Sequence, residues 1–188
     1  MSERSAAAAG SLGGLLTTLV LTFFGGAAVA AAAVVLGFSF GVLPPGRSEL
    51  ADPCAAADVA GLVPEASWRR GGGGLRSASC TAGGDLGSAE YIHFDLRVEK
   101  AGPEDRAAAE HERGCAALAG LGAVHRPPGV GDAACAATED GLLRVSTVLA
   151  HVGGVRITVR YATQAKDAAA TERDAIEAAR RVAGRLES

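Results

Sequence analysis

With 188 residues the chain has room for one domain and an anchor, and its net charge of −3 gives no electrostatic support to a nucleic-acid partner. Hydrophobic residues make up 48%, but many are alanine and aromatics reach only 4%, so the core is modest and covalent staples matter more than usual. Among 18 basic residues only Lys100 and Lys166 are lysines, a mark of coding bias in a GC-rich genome rather than of chemistry.

No charged residue occurs between Arg4 and Arg47. Within that gap residues 15–43 form a nearly continuous apolar run, longer than the roughly 20 residues a helix needs to cross a bilayer. The run closes at Pro44-Pro45-Gly46, a helix stop. A cleaved signal peptide is the rival reading, since Ala28-Val29-Ala30 fits a small-x-small cleavage site. Its product would begin with a greasy stub of thirteen apolar residues, so an uncleaved transmembrane helix is expected. Gly37 and Gly41 form a GxxxG pair at which two such helices can approach, although glycine is common throughout the chain. The expected organisation is a short cytoplasmic N-terminus (1–14), a transmembrane helix (15–43), a linker (44–51) and an extracytoplasmic domain (52–188).

In that domain Asp52-Pro53 reads as a helix start, with Asp as the cap and Pro at the first helical position. Cys54, Ala57, Val59 and Leu62 make its apolar side and Pro64 ends it. Residues 71–74 are four glycines, read as a flexible connection, with a strand expected over 75–81. Residues 91–99 alternate strictly: Ile92, Phe94, Leu96 and Val98 against His93, Asp95, Arg97 and Glu99, a strand with one dry and one wet face. Pro103, followed by Glu104 and Asp105, opens a second helix that runs through Cys115 to Gly120. Alternation over 143–149 and 155–161 around Gly153-Gly154 predicts a hairpin. Ile176, Ala179, Val182 and Leu186 then give a C-terminal amphipathic helix. The order predicts an α+β fold: a mainly antiparallel sheet packed with about three helices.

All four cysteines, Cys54, Cys80, Cys115 and Cys135, follow the apolar run. An even count behind an export-type segment reads as two disulfides, and the spacings of 26, 35 and 20 do not resemble the CxxC pairs of zinc sites. Of the three connectivities, Cys54–Cys80 with Cys115–Cys135 is favoured, because each bond then joins a helix to a nearby strand or loop. Oxidised cysteines also set the orientation, which Arg4 and Arg47 on either side of the apolar run leave open.

Several landmarks occur together: Asp-Pro-Cys opening a helix that continues Ala-Asp-Val-Ala-Gly-Leu-Val-Pro, Cys80-Thr81 in a strand, Cys115 on a mid-chain helix, and Gly129-Val130-Gly131-Asp132-Ala133-Ala134 before the last hairpin. In this combination the chain resembles, over residues 52–187, actinobacterial cell-envelope lipoproteins of unknown function. The resemblance implies a cell-surface, sensor-like domain and brings no catalytic residues with it. Two positions depart from that pattern: Ala82 stands where the family tends to carry an aromatic, and the lipid-attached cysteine is missing.

Candidate sites are few. His111 and Cys115 lie four apart on a helix, but Glu110-His111-Glu112-Arg113 is not HExxH and Cys115 is better explained by a disulfide, so no metal or cofactor is expected. His93 and Asp95 share a wet strand face with no nucleophile indicated. The glycine run lacks the Gly-Lys-Ser/Thr of a phosphate loop. Trp68, Arg69 and Arg70 form the one compact aromatic and basic cluster, suited to a partner or to anionic headgroups, although a tryptophan in so aromatic-poor a domain equally suits the core. The expected function is a non-catalytic, membrane-anchored extracytoplasmic binding or sensor-like domain for an envelope protein partner or a small ligand. Alternatives are a hydrolase of cell-wall material, which would have to bring carboxylates such as Asp95 and Asp132 together, and a structural or assembly role.

Overall fold

The computed structural model describes residues 50, 52–74, 76–85, 88 and 90–188. The expected anchor with Gly37 and Gly41, the N-terminal tail, and the linker apart from Leu50 lie outside them. No helix among the described residues is long and apolar enough to cross a membrane.

The expected α+β architecture is present. The described residues form a seven-stranded, wholly antiparallel sheet and four helices. In chain order these are α1 (Pro53–Ala56), α2 (Val59–Leu62), β1 (Trp68–Gly73), β2 (Ser77–Gly83), β3 (Ile92–Lys100), α3 (Glu104–Leu118), β4 (Val124–His125), β5 (Ala133–Glu139), β6 (Arg144–Val152), β7 (Val155–Thr163) and α4 (Ala168–Glu187). The strands lie in the order β1-β2-β3-β7-β6-β5-β4. Helix α3 therefore carries the chain from the middle of the sheet to its far edge, and the β6–β7 hairpin brings it back beside β3. The hairpin turns on Gly153 (φ 53°), a left-handed position glycine adopts without strain.

The N-terminal helix differs from expectation. Asp52 does cap it, accepting from Ala55 N at 2.9 Å. The helix then breaks at Asp58, whose φ of 53° is the only positive value of a non-glycine residue among those described. Two single turns result, and Asp58 pairs with Arg181 of α4.

The glycine run is also not a loop: Gly71, Gly72 and Gly73 belong to β1, paired with Cys80, Ser79 and Ala78. Their lack of side chains has a local reason. A Cβ on Gly71 would stand 2.6 Å from Cys54 Sγ, and one on Gly73 would stand 2.2 Å from the Leu50 carbonyl oxygen. The chain ahead of β1 crosses the sheet too closely for anything larger.

Alternation then sorts the side chains between two faces. Phe94, Leu96 and Val98 of β3, Val148 and Ala150 of β6, and Ile157, Val159 and Tyr161 of β7 join Ala175, Ala178, Ala179 and Val182 of α4 in the main core. The opposite face has a much smaller core of Cys115, Leu118, Cys135 and Ala137, with Leu149 against it, under α3. One disulfide serves each: Cys54–Cys80 ties α1 to β2, and Cys115–Cys135 ties α3 to β5. By loop closure each contributes about 3 kcal/mol.

Candidate functional site

Strand register aligns the side chains of the α3-side face in rows that run across the sheet. One row is Trp68, Gly83, His93, Ala162 and Val145; the next is Arg70, Thr81, Asp95, Arg160 and Thr147. Helix α3 packs over β5, β6 and β7. Among the described residues nothing covers the β1–β3 half of this face, where Trp68, Arg70 and Arg97 are exposed and His93, Thr81 and Asp95 half-buried. The Trp68 ring lies 5.7 Å from that of His93, inclined at 51°. It rests on Gly83, where a Cβ would come within 2.7 Å of the indole. At 38% exposure Trp68 is thus a surface residue held in place from below rather than a core residue.

Charge on this half-face is uneven. Arg97 pairs with Asp95 at 3.3 Å, whereas Arg70, and Arg160 next to Asp95 on the adjoining strand β7, have no ion pair among the described residues. The cluster read from the sequence is split, because strand alternation sends Arg69 through the sheet. Arg69 lines an open groove of about 630 Å³ with Asp52, Asp58 and Gly71 on the opposite face.

A second concentration of chemistry lies beneath α3. His111 is 2% exposed, and its Nε2 stands 3.2 Å from Cys115 Sγ. The ring of His151, from β6, meets it edge-on with centroids 5.0 Å apart. The Nδ1 atoms of these two histidines are the buried side-chain nitrogens or oxygens without a hydrogen-bond partner among the described residues. His151 Nδ1 is 3.6 Å from Asp132 Oδ2, beyond hydrogen-bond length. Burial, reinforced by the neighbouring His151, holds the His111 imidazole below the usual histidine range. One possible ligand atom each from His111, Cys115 and Cys135 lies within 4.8 Å of the others. With the two sulfurs bonded to each other, neither is a thiolate able to take a metal.

The glycine-rich turn before β5 fixes this centre. Gly129 and Gly131 have φ of 69° and 60°, and a Cβ on Gly131 would meet the His151 carbonyl oxygen at 2.4 Å. Asp132 N donates to that same oxygen at 2.9 Å, and the Asp132 carboxylate accepts from Gly153 N. Asp132 is thereby held beside His151.

The carboxylates considered for hydrolysis are not brought together. Asp95 lies in the row of Arg160, whereas Asp132 precedes Ala133, whose row passes through His151 and Arg156 to Glu99. Four residues along the strands, about 13 Å, and three strands across separate them. His93 is directed to Trp68 rather than toward Asp95's partner Arg97. No protein-family model, curated protein or solved structure matches the chain.

Proposed function

We propose that the chain is a membrane-anchored extracytoplasmic binding domain, sensor-like and non-catalytic, that presents the open half-face of its sheet to an acidic surface of an envelope protein. The observation that carries this reading is the half-face itself. It sets an exposed tryptophan, braced by Gly83 and His93, beside Arg70 and Arg160, with Asp95 already engaged by Arg97. Tryptophan and arginine are the residues that most often dominate binding energy at protein interfaces. Two disulfides support placement beyond the membrane, where oxidised cysteines persist. The apolar run at residues 15–43 and the likeness to envelope lipoproteins supply the anchor and the setting.

Site-specific photo-cross-linking in intact membranes tests the proposal. A cross-linker at Thr81 is expected to capture a discrete partner, and one at Arg173 on α4 is not. Trp68→Ala with Arg70→Glu is expected to abolish the adduct. Equal capture from both positions, or none from Thr81, would overturn it. Alkylation of intact cells with and without reductant checks the placement: four thiols already reactive before reduction and shielded from the outside would sink it.

A further inference from the structure

We propose that the centre beneath α3 is a redox-gated site for a soft divalent cation of the zinc type, formed by Cys115, Cys135, His111 and His151 once the disulfide is reduced. It rests on residues separate from the open half-face and stands or falls independently of that reading.

The donor chemistry suits such an ion, since two thiolates and two imidazoles form a common tetrahedral zinc set. Zinc–sulfur bonds near 2.3 Å and zinc–nitrogen bonds near 2.0–2.1 Å require a nitrogen-to-sulfur edge of about 3.6 Å. His111 Nε2 is already 3.2 Å from Cys115 Sγ. The sulfurs need an edge of about 3.8 Å. The Cα atoms of Cys115 and Cys135 are 5.9 Å apart, so side-chain rotation reaches this with the backbone in place. Helix geometry fixes one ligand pair, because His111 and Cys115 are four apart on the buried side of α3. Strand β5 supplies Cys135, whose sulfur lies within 4.8 Å of the other two donors, whereas His151 of β6 stands outside that set of three and joins it by turning its ring.

One further feature points to a ligand rather than to a bare structural bond, and it lies behind His151, whose buried Nδ1 has no hydrogen-bond partner among the described residues. The Asp132 carboxylate stands 3.6 Å from His151 Nδ1, where a small rotation lets it accept from that nitrogen and direct Nε2 inward. A carboxylate behind a metal-bound histidine is the usual orienting arrangement. Leu118, Ala137 and Leu149 wall the centre with apolar surface. The other disulfide, Cys54–Cys80, has no histidine in its surroundings: Cys54 Sγ faces the Arg70 carbonyl and Gly71.

The gating step is a two-electron reduction. A dithiol reductant attacks the Cys115–Cys135 bond, leaves as its own disulfide, and delivers two electrons and two protons to give two thiols. Metal binding then forms two metal–sulfur and two metal–nitrogen bonds and releases both protons to solvent.

The test uses the full chain in detergent, reduced with a phosphine, with cobalt(II) alone as the probe. The reduced chain is expected to bind one equivalent with thiolate-to-cobalt charge-transfer and tetrahedral d–d bands, and the oxidised chain none. Zinc is expected to displace the cobalt and slow alkylation of Cys115 and Cys135 at least tenfold, leaving Cys54 and Cys80 reactive. This mass-spectrometric readout needs no variant. His111→Ala is expected to weaken cobalt binding by more than about 100-fold, and Asp132→Asn, which acts through His151, by about 10-fold. Absence of cobalt bands in the reduced chain, protection of Cys54 and Cys80 instead, or wild-type affinity in a folded His111→Ala chain would each overturn the proposal.

Discussion

The two faces of the sheet are built on different principles. Under α4 the core is broad and apolar, with Phe94, Leu96, Ile157 and Tyr161 fully enclosed by alanines and valines. Under α3 four residues and the edge of Leu149 make the whole cluster, and two of the four are cysteines bonded to each other. The first face is held by area, the second by a covalent bond. Where area is scarce, polar groups enter: both orphaned histidine nitrogens lie on the α3 side. The large core leaves no room for chemistry, and the small one accommodates it.

Substitution can break this contrast, beginning with the largest effect. Phe94→Ala, in the broad core, is expected to lower the unfolding free energy by about 3–5 kcal/mol, read from the urea midpoint. Cys115→Ala with Cys135→Ala is expected to remove about 3 kcal/mol. Hydrogen exchange should localise that loss to α3 and β5, with α4 retaining its protection. Loss of protection in α4 as well would mean that the two faces form one cooperative unit.

A smaller effect follows from acid. The folded chain holds His111 below the pKa of about 6.5 it has when unfolded, so on acidification the unfolded chain takes up its proton first. The stability tied to neutral His111 is thus complete above that pH and falls progressively as the pH drops below it. The groups against the ring are His151 and the Cys115–Cys135 bond, while the charges of Glu112 and Arg126 act on it from the surface. Thermal melts of the oxidised chain between pH 7 and pH 5 should show the fall, and His111→Gln should flatten it. The smallest effect belongs to the open half-face. Trp68→Ala is expected to lower stability by about 1 kcal/mol in the same urea assay, because the ring packs only on Gly83 and His93 at the surface and not in the core.

How much of this was legible in the sequence follows from the range of each interaction. Strand β3 and the β6–β7 hairpin announce themselves because large apolar and polar residues alternate within a few positions. The cap at Asp52 is equally local. The favoured cysteine pairing is the one observed, since each bond joins neighbouring elements. Strand β5 escaped because Ala133-Ala134-Cys135-Ala136-Ala137 offers small side chains on both faces and no alternation in size. Strand β1 escaped because its glycines serve an approach by Cys54 and Leu50 that no local pattern encodes. The break at Asp58 escaped as well, and the partner of its carboxylate, Arg181, lies far along the chain.

The candidate sites are harder still, because they depend on register. Trp68 meets His93 only when β1, β2 and β3 are aligned, and His111 meets His151 only when α3 lies over β6. The i, i+4 pair His111 and Cys115 was visible in the sequence, but its meeting with Cys135 and His151 was not. The strand alternation that separates Arg69 from Arg70 was hidden for as long as the glycines read as a loop.

The Cys54–Cys80 bond also has a mechanical consequence. It reaches past β1, the edge strand, and fastens the start of the domain to the next strand inward. Tension arriving through the chain ahead of Cys54 is delivered to β2, which is hydrogen-bonded along both of its sides. The strand that takes the load is thus paired on two sides, whereas the glycine-rich rim strand is paired on one.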